Sequence, residues 1–403
     1  MKKILQILLL LVLCLALVFI TKARLDLALV IVPEGGAVQS QSTAQPADTM
    51  APSAAPSEQP SPTPQPEPEY FTISCIGDLT LTTNQNFSTA SSAHYASKMN
   101  GDYGYPFSNT VQYFSDDEIT LGNLECSFSD KALTHDYTVA QFYFLCPSEW
   151  ANILPMGGVD FVTMANNHTM DFYDKGVTET KAALEAVGMP YGEDEQAQIF
   201  TTKSGIKMGI YTAGSGASVG DSDKKNPSKE KALAAIEELK SQGAEYIVCM
   251  FHWGSELKYR PKDSQVELAR ACVDAGADLV YGSHSHCLQP MEEYNGGIIL
   301  YSMGNWSFGG STRPTDPDTA IFQLKLRRDP DGSIHNDSWE IIPCCVSSDL
   351  EGAAKARDNY NDYRPTPYEP GTEAYDRAMS KILGSYEGKD IVRDYSDVYA
   401  SYG

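Results

Sequence analysis

The chain has 403 residues, and its 30 Lys and Arg against 53 Asp and Glu give a formal charge of −23. That balance repels phosphate backbones and argues against a nucleic-acid partner. From Tyr70 to Gly403 the length suits one large domain or a domain with an appendage, and the nine cysteines show no Cys-x-x-Cys spacing. Cys75, Cys249 and Cys272 fall in apolar runs and read as core thiols.

Met1-Lys-Lys3 is followed by an apolar run from Ile4 to Ile20, about long enough at ~1.5 Å per residue to cross most of a hydrocarbon core. The basic stretch Thr21-Lys22-Ala23-Arg24-Leu25 offers no small-x-small cleavage site, so residues 1–34 read as an uncleaved signal anchor. Lys2 and Lys3 against Lys22 and Arg24 leave the topology open on charge alone. Residues 35–69 hold Pro, Ser, Ala, Gln and Thr with almost nothing to bury, which predicts a disordered, semi-extended linker. A spacer between an anchor and a folded domain lifts that domain off the membrane. The expectation is a cell-membrane protein with a single-pass N-terminal anchor and an extracytoplasmic domain.

Phe71 to Ile76 reads as a strand ending in Gly77-Asp78, the place where α/β proteins put a ligand-binding carboxylate. Taken alone, an Asp there is more often an Asx turn. Glu118 to Glu125 repeats the pattern and delivers Asn123 and Glu125 on one face. Gly158 to Ala165 runs into Asn166-Asn167-His168, and the spacing of Val177, Ala182, Leu184 and Val187 before Gly188 predicts a helix next. Ile199–Thr202 and Met208–Thr212 read as a hairpin. Gly216-Ala-Ser-Val-Gly220 matches Gly-x-Ser-x-Gly, but the charged loop Asp221 to Pro227 follows where an elbow needs a helix, so no serine nucleophile is expected. Ser228 to Gln242 and Lys262 to Ala275 are amphipathic helices. Ile298–Ser302, Ala320–Leu326 and Ile334–Ile342 read as antiparallel strands. The acidic, Tyr-rich tail 346–403 suggests a helix at Thr372 to Leu383 and no chemistry.

The histidines carry the strongest signal. His252 stands where the apolar run Tyr246 to Phe251 breaks into Trp253-Gly254. A second run, Leu279-Val280-Tyr281, meets Gly282 and then His284 and His286, and in an extended segment residues two apart face the same side. Such a pair presents two ring nitrogens to one volume, which suits transition-metal ligation. A lone histidine at a strand end is more often structural, and His94, His135 and His335, in polar surroundings, read that way. Four of the seven histidines, His168, His252, His284 and His286, follow strand-like runs, and this convergence sets them apart.

Gly77-Asp78, Gly122-Asn-Leu-Glu125, Ala165-Asn-Asn-His168, His252-Trp-Gly254, Ala275-Gly-Ala-Asp-Leu-Val280, Gly282-Ser-His-Ser-His286 and Tyr301-Ser-Met-Gly-Asn305, in that order, resemble the CapA family, the capsule-synthesis group associated with poly-γ-glutamate. The resemblance covers about Phe71 to Pro343, and that family is similar to the calcineurin-like metallophosphoesterases. It implies an α/β fold over residues 70–345, a calcineurin-like metallophosphatase four-layer sandwich of two β-sheets flanked by helices. It implies that Asp78 and His286 hold one metal and Asn167, His252 and His284 a second, with Glu125 bridging and His168 as the catalytic general acid. Asn123, Asn166 and Asn305 are expected on the substrate. The metallophosphoesterase pattern opens Asp-x-His, whereas Leu79-Thr80 follows Asp78 here, and Glu125 stands where an Asp is usual. One site is then weaker, or the centre is mononuclear.

Mixed nitrogen and oxygen ligands without thiolate favour Mn, Fe or Zn, as one or two divalent ions. Three functions remain open at this level: an anchored factor for an anionic surface polymer, an envelope phosphoesterase, and a scaffold that keeps the metal structurally. The expected partners are an anionic polymer or phosphoester, the membrane through the N-terminal helix, and membrane-bound polymer synthase proteins.

Overall fold

The computed structural model describes residues 67–135, 142–214 and 227–391. The expected anchor, nearly all of the linker and the Gly216–Gly220 motif lie outside them. Among the described residues no helix is long and apolar enough to cross a membrane.

The chain runs through β1 (Glu69–Thr80), β2 (Ile119–Leu124), the short pair β3 (Ser127–Phe128) and β4 (Leu145–Cys146), β5 (Phe161–Thr163) and β6 (Tyr191–Gly192). It continues through β7 (Gln196–Thr201), β8 (Lys207–Gly214), β9 (Tyr246–His252), β10 (Leu279–Ser283), β11 (Met291–Tyr294) and β12 (Gly297–Leu300). The last strands are β13 (Asn305–Phe308), β14 (Asp318–Arg328), β15 (Ile334–Cys345) and β16 (Thr366–Pro367). One sheet has the order β16-β15-β14-β1-β2-β5-β6, with β13 alongside the end of β1, and the other has the order β11-β12-β10-β9-β8-β7.

Alternation along the central strands builds the layers. Ile73, Ile119, Leu121 and Phe161 of the first sheet share one apolar cluster with Met208, Tyr246, Val248, Leu279 and Tyr281 of the second. The residues between them point the other way. Val162 meets Leu184 of the helix Tyr173–Ala186 in an outer layer. Ile247, Cys249 and Val280 meet Ile236 of the helix Lys229–Ser241 and Leu268 of the helix Asp263–Asp274. The result is the expected four-layer sandwich, helix on sheet on sheet on helix. Side chains buried on both faces explain why these strands read as continuous apolar runs.

Two features depart from the sequence reading. The strand expected at Ile298–Ser302 is antiparallel only to β11; it lies parallel to β10. Its tight hairpin turns through Asn295 at φ 47° and Gly296 at φ 87°, and the returning arm, not the outgoing one, enters the sheet beside β10. The acidic stretch after 345 also folds back on the domain. β16 extends the first sheet, and Ala378 and Ile382 of the helix Glu373–Ile382 join the cluster between the sheets. All eight described cysteines are free and buried. The vicinal pair follows from strand alternation, since Cys345 faces the inner cluster and Cys344 the outer one.

Candidate metal centre

The polar residues at the carboxyl ends of the central strands continue the inward side of each strand. On β9, Tyr246, Val248 and Met250 face the inner cluster, so His252 does too. On β2 the same parity carries Asn123, and on β10 it carries Ser283. β1 reaches this side by a different route: its pairing with β2 shifts register between Cys75 and Asp78. Ile73 and Cys75 face inward, Ile76 and Leu79 face outward, and the irregularity turns Asp78 towards the opposite sheet. Gly77 permits this, because a Cβ there would lie 2.2 Å from the Gly304 carbonyl oxygen, which accepts the Asp78 N–H at 2.8 Å.

Two groups of donor atoms form at this rim. Glu125, His252 and His284 make one, and Asp78, Glu125 and His286 the other; within each, the ligand atoms all lie within 4.8 Å of one another. Glu125 belongs to both. His252 Nε2 is 3.3 Å from Glu125 Oε1, with both side chains fully buried, and His286 Nδ1 is 3.6 Å from Asp78 Oδ2. Asn167 Oδ1 sits 2.7 Å from His252 Nε2, beside the first group. Asp78 Oδ2 and Glu125 Oε1 are buried without a hydrogen-bond partner. Two buried carboxylates with unpartnered oxygens among imidazole nitrogens, and no thiolate, suit a divalent cation.

The electrostatics agree. Burial pushes the Asp78 carboxyl up to about 7, against the hydrogen bond from Asn123. Burial and the neighbouring carboxylates of Asp78 and Glu256 raise Glu125 well above the usual range. Burial, with His284 and His286 nearby, drives His252 far below the ordinary histidine value, which keeps the ring neutral, as ligation requires.

His168 stands apart from both groups. Its Nδ1 lies 3.1 and 3.2 Å from the Asp171 carboxylate oxygens, and its ring meets Phe144 edge-on at 4.8 Å. Burial would lower its pKa, but Asp171, by charge and hydrogen bond, with Glu256 and Asp78, raises it. Nδ1 is thereby held by Asp171, and Nε2 is the nitrogen left for proton transfer.

Of the three asparagines expected on the substrate, Asn123 and Asn305 bond the donors directly and Asn166 bonds Asn123. Asn123 Nδ2 donates to Asp78 Oδ1 at 2.8 Å and lies 3.2 Å from His252 Nδ1. Asn166 Nδ2 donates to Asn123 Oδ1 and to the Leu124 carbonyl, while its Oδ1 accepts from His168 N. Asn305 Oδ1 is 2.9 Å from His286 Nδ1, and its Nδ2 donates to the His286 carbonyl. All three are buried, and Asn123 and Asn305 are placed to orient the side chains of Asp78, His252 and His286.

The geometry of the His284-Ser285-His286 stretch also differs from the extended segment expected. β10 ends at Ser283, and His284 and His286 take φ values of 94° and 54°. Two left-handed kinks, not strand periodicity, bring the rings onto the carboxylates, a conformation that non-glycine residues hold only where the surroundings enforce it. The other three histidines lie elsewhere: His94 caps a short helix by accepting from Ala96 N, His135 stacks on Tyr143, and His335 is exposed near Asp329. The sequence reading missed Asp171 and Glu256. The i, i+3 spacing of His168 and Asp171 at a helix entrance was the available signal for the first. Glu256 had none, because its position depends on a long-range loop.

Comparison with known proteins places these residues in a family pattern. The family described as bacterial capsule synthesis protein PGA_cap matches residues 72–309, well over half the chain. The PGA biosynthesis protein CapA of Bacillus subtilis (strain 168) is 35% identical over 202 residues, covering 46% of this chain and 52% of that protein. The capsule biosynthesis protein CapA of Bacillus anthracis is 26% identical over 279 residues, covering 64% of each. The chain thus spans between about half and two thirds of the length of these two relatives. Among solved structures, the NAD nucleotidase of Haemophilus influenzae aligns with a TM-score of 0.38 and 14% identity, over 83% of this chain and 67% of that one.

Proposed function

Because the chain belongs to the bacterial capsule synthesis protein family PGA_cap, we propose that it is a CapA-type protein handling poly-γ-glutamate, an anionic capsule polymer, during its synthesis, export or attachment, through a divalent-metal centre. The observation that carries this reading is the position of Glu125, whose carboxylate belongs to both three-residue donor groups. Asp78 and His286 would hold one ion and His252, His284 and Asn167 the other, with Mn, Fe or Zn matching the mixed nitrogen and oxygen donors. Bound there, a divalent ion would supply positive charge for a carboxylate or phosphate oxygen and would lower the pKa of water at the site. Asn123, Asn166 and Asn305 hold the donors in register, and His168, steadied by Asp171, holds a proton for a leaving group. Residues 1–34 anchor the chain in the membrane and residues 35–69 hold the domain outside it, next to a membrane-bound synthase.

The His168–Asp171 pair favours a second reading, a metal-dependent phosphoesterase of the cell envelope, since a polymer-binding site has no need of an oriented proton donor. Purified protein, its metal content measured, separates the two when offered γ-glutamyl polymer and phosphodiesters beside His168→Ala and Glu125→Gln. Metal-dependent binding of polymer lost in Glu125→Gln supports the first reading. Phosphodiester turnover lost in His168→Ala supports the second. Bound metal with neither activity reduces the chain to a scaffold and rejects both.

A further inference from the structure

The segment after Leu383 crosses the surface and meets the loop that leaves β9. Ile391 N donates to the Leu257 carbonyl at 3.2 Å, Asp390 Oδ1 accepts from Tyr259 N at 3.0 Å, and Arg260 donates to the Tyr386 carbonyl at 3.0 Å. That loop touches the histidine turn directly, because Leu257 N donates at 2.7 Å to the carbonyl of Ser285, the residue between His284 and His286. A second tie runs from Gln289 Nε2 to the Lys258 carbonyl at 2.8 Å.

Both sides of this junction are strained. Leu257 takes φ 58°, and the residues on either side of its acceptor Ser285 are His284 at 94° and His286 at 54°. Left-handed conformations at three non-glycine residues are unfavourable and persist only where neighbours over-determine them. The loop is gripped from outside by Tyr386, Asp390 and Ile391, and that grip has a deep root. Lys381, 2% exposed, bonds Asp316 and Asp318 at 2.7–2.8 Å, and its ammonium stands 4.7 Å from the Tyr259 ring and 5.2 Å from the Tyr386 ring. The cation thus sits between the loop and the segment that covers it.

We propose that residues 386–391 are a positioning strap for the metal centre. They fix the 257–260 loop, and through Leu257 they fix the Ser285 backbone, so that His284 and His286 stay turned onto Glu125 and Asp78. The inference rests on reading these side chains as metal donors. Residues that orient ligands commonly affect metal affinity by about 10- to 100-fold without touching the ion.

The test uses the full chain with a Tyr386→Ala/Asp390→Ala double variant and with Tyr386→Phe, which keeps the ring. Amide exchange at Leu257 in metal-free protein, Mn²⁺ affinity by calorimetry and the melting midpoint are read together. The strap predicts faster Leu257 exchange and about tenfold weaker Mn²⁺ binding in the double variant, with the midpoint unchanged and Tyr386→Phe like the parent. Unaltered exchange in the double variant overturns the strap. Faster exchange with unaltered Mn²⁺ affinity overturns its coupling to the centre. If the parent protein binds no Mn²⁺, the metal reading fails, and the exchange result still judges the strap.

Discussion

The Tyr281 hydroxyl, on the second sheet, donates to the Ile76 carbonyl on the first at 2.7 Å. Both groups are fully buried, and Ile76 lies two residues before Asp78. The bond crosses the interface between the sheets directly beneath the donor groups, so the separation of Asp78 from the histidines is set in part by this contact. Tyr281→Phe leaves the carbonyl unsatisfied. The expected cost is about 1–3 kcal/mol, read by urea unfolding, with metal affinity lowered in the same variant. A variant of parental stability would mean that the sheets are spaced by packing alone.

Glu125→Gln separates stability from ligation. In metal-free protein the Glu125 carboxylate is unfavourably placed by burial and by Asp78 and Glu256, so the neutral amide makes the metal-free fold at least as stable as the parent at pH 7. Mn²⁺ at a hundredfold excess over its dissociation constant stabilises the parent by about 2.7 kcal/mol. The variant should lose most of that increment. Thermal unfolding with and without Mn²⁺ measures both terms, and equal stabilisation of the two proteins would remove Glu125 from the centre.

His168→Ala and Asp171→Asn address the phosphoesterase reading. Asp171 also accepts from Phe144 N at 3.1 Å, so its replacement disturbs both the imidazole and the strand before it. If His168 transfers a proton, turnover falls by about 10²–10⁴ in the alanine variant, with metal content preserved because His168 is in neither donor group. Asp171→Asn should show a smaller loss in kcat than His168→Ala, with KM little changed. Loss of metal in either variant would show that His168 supports the ligands instead.

The buried ion cluster under the C-terminal helix sets a pH window. Burial opposes the charge on Asp318, but Arg377 and Lys381 outweigh it and hold the carboxyl below its usual value. That stabilisation is complete above the ordinary carboxylate pKa of about 4 and is lost as pH falls through the depressed value. Burial likewise opposes the charge on Lys381, yet Asp316 and Asp318 raise it, so its contribution is complete below the ordinary lysine value of about 10.4 and is lost as pH climbs through the raised one. Asp316 has the opposite sign, because burial raises it despite Lys381, and it lowers stability as pH rises past its unfolded value. Lys381→Met strands Asp316, and the expected cost at pH 7 is about 3–5 kcal/mol. The deficit should shrink towards pH 4, where Asp316 can take up a proton; denaturant unfolding at both pH values decides.

Much of the centre was legible because strand parity is a local property. Tyr246 to His252 and Ile119 to Asn123 alternate every two residues, so an apolar run that buries one face must bring the polar residue at its end out on that same face. The positions of Asn123, Glu125 and His252 therefore follow from composition and register in their own strands, as do the helices Lys229–Ser241 and Asp263–Asp274 from their apolar spacing, whereas Asp78 needed the irregularity between Cys75 and Asp78. The bonds of the asparagines were not legible, because an amide side chain suits a substrate and a ligand equally well, and its partner is a matter of packing.

The sequence by itself determined that this chain makes a layered α/β domain, with carboxylates and imidazoles at its strand ends, since hydrophobic periodicity and the order of the motifs need no knowledge of distant residues. Only the tertiary structure decided that His284 and His286 converge by left-handed turns, that Asn123 and Asn305 bond the donors, and that residues 386–391 grip the loop beyond His252. Each of these depends on contacts between residues far apart in the chain, whose energies outweigh local preference where the backbone is strained.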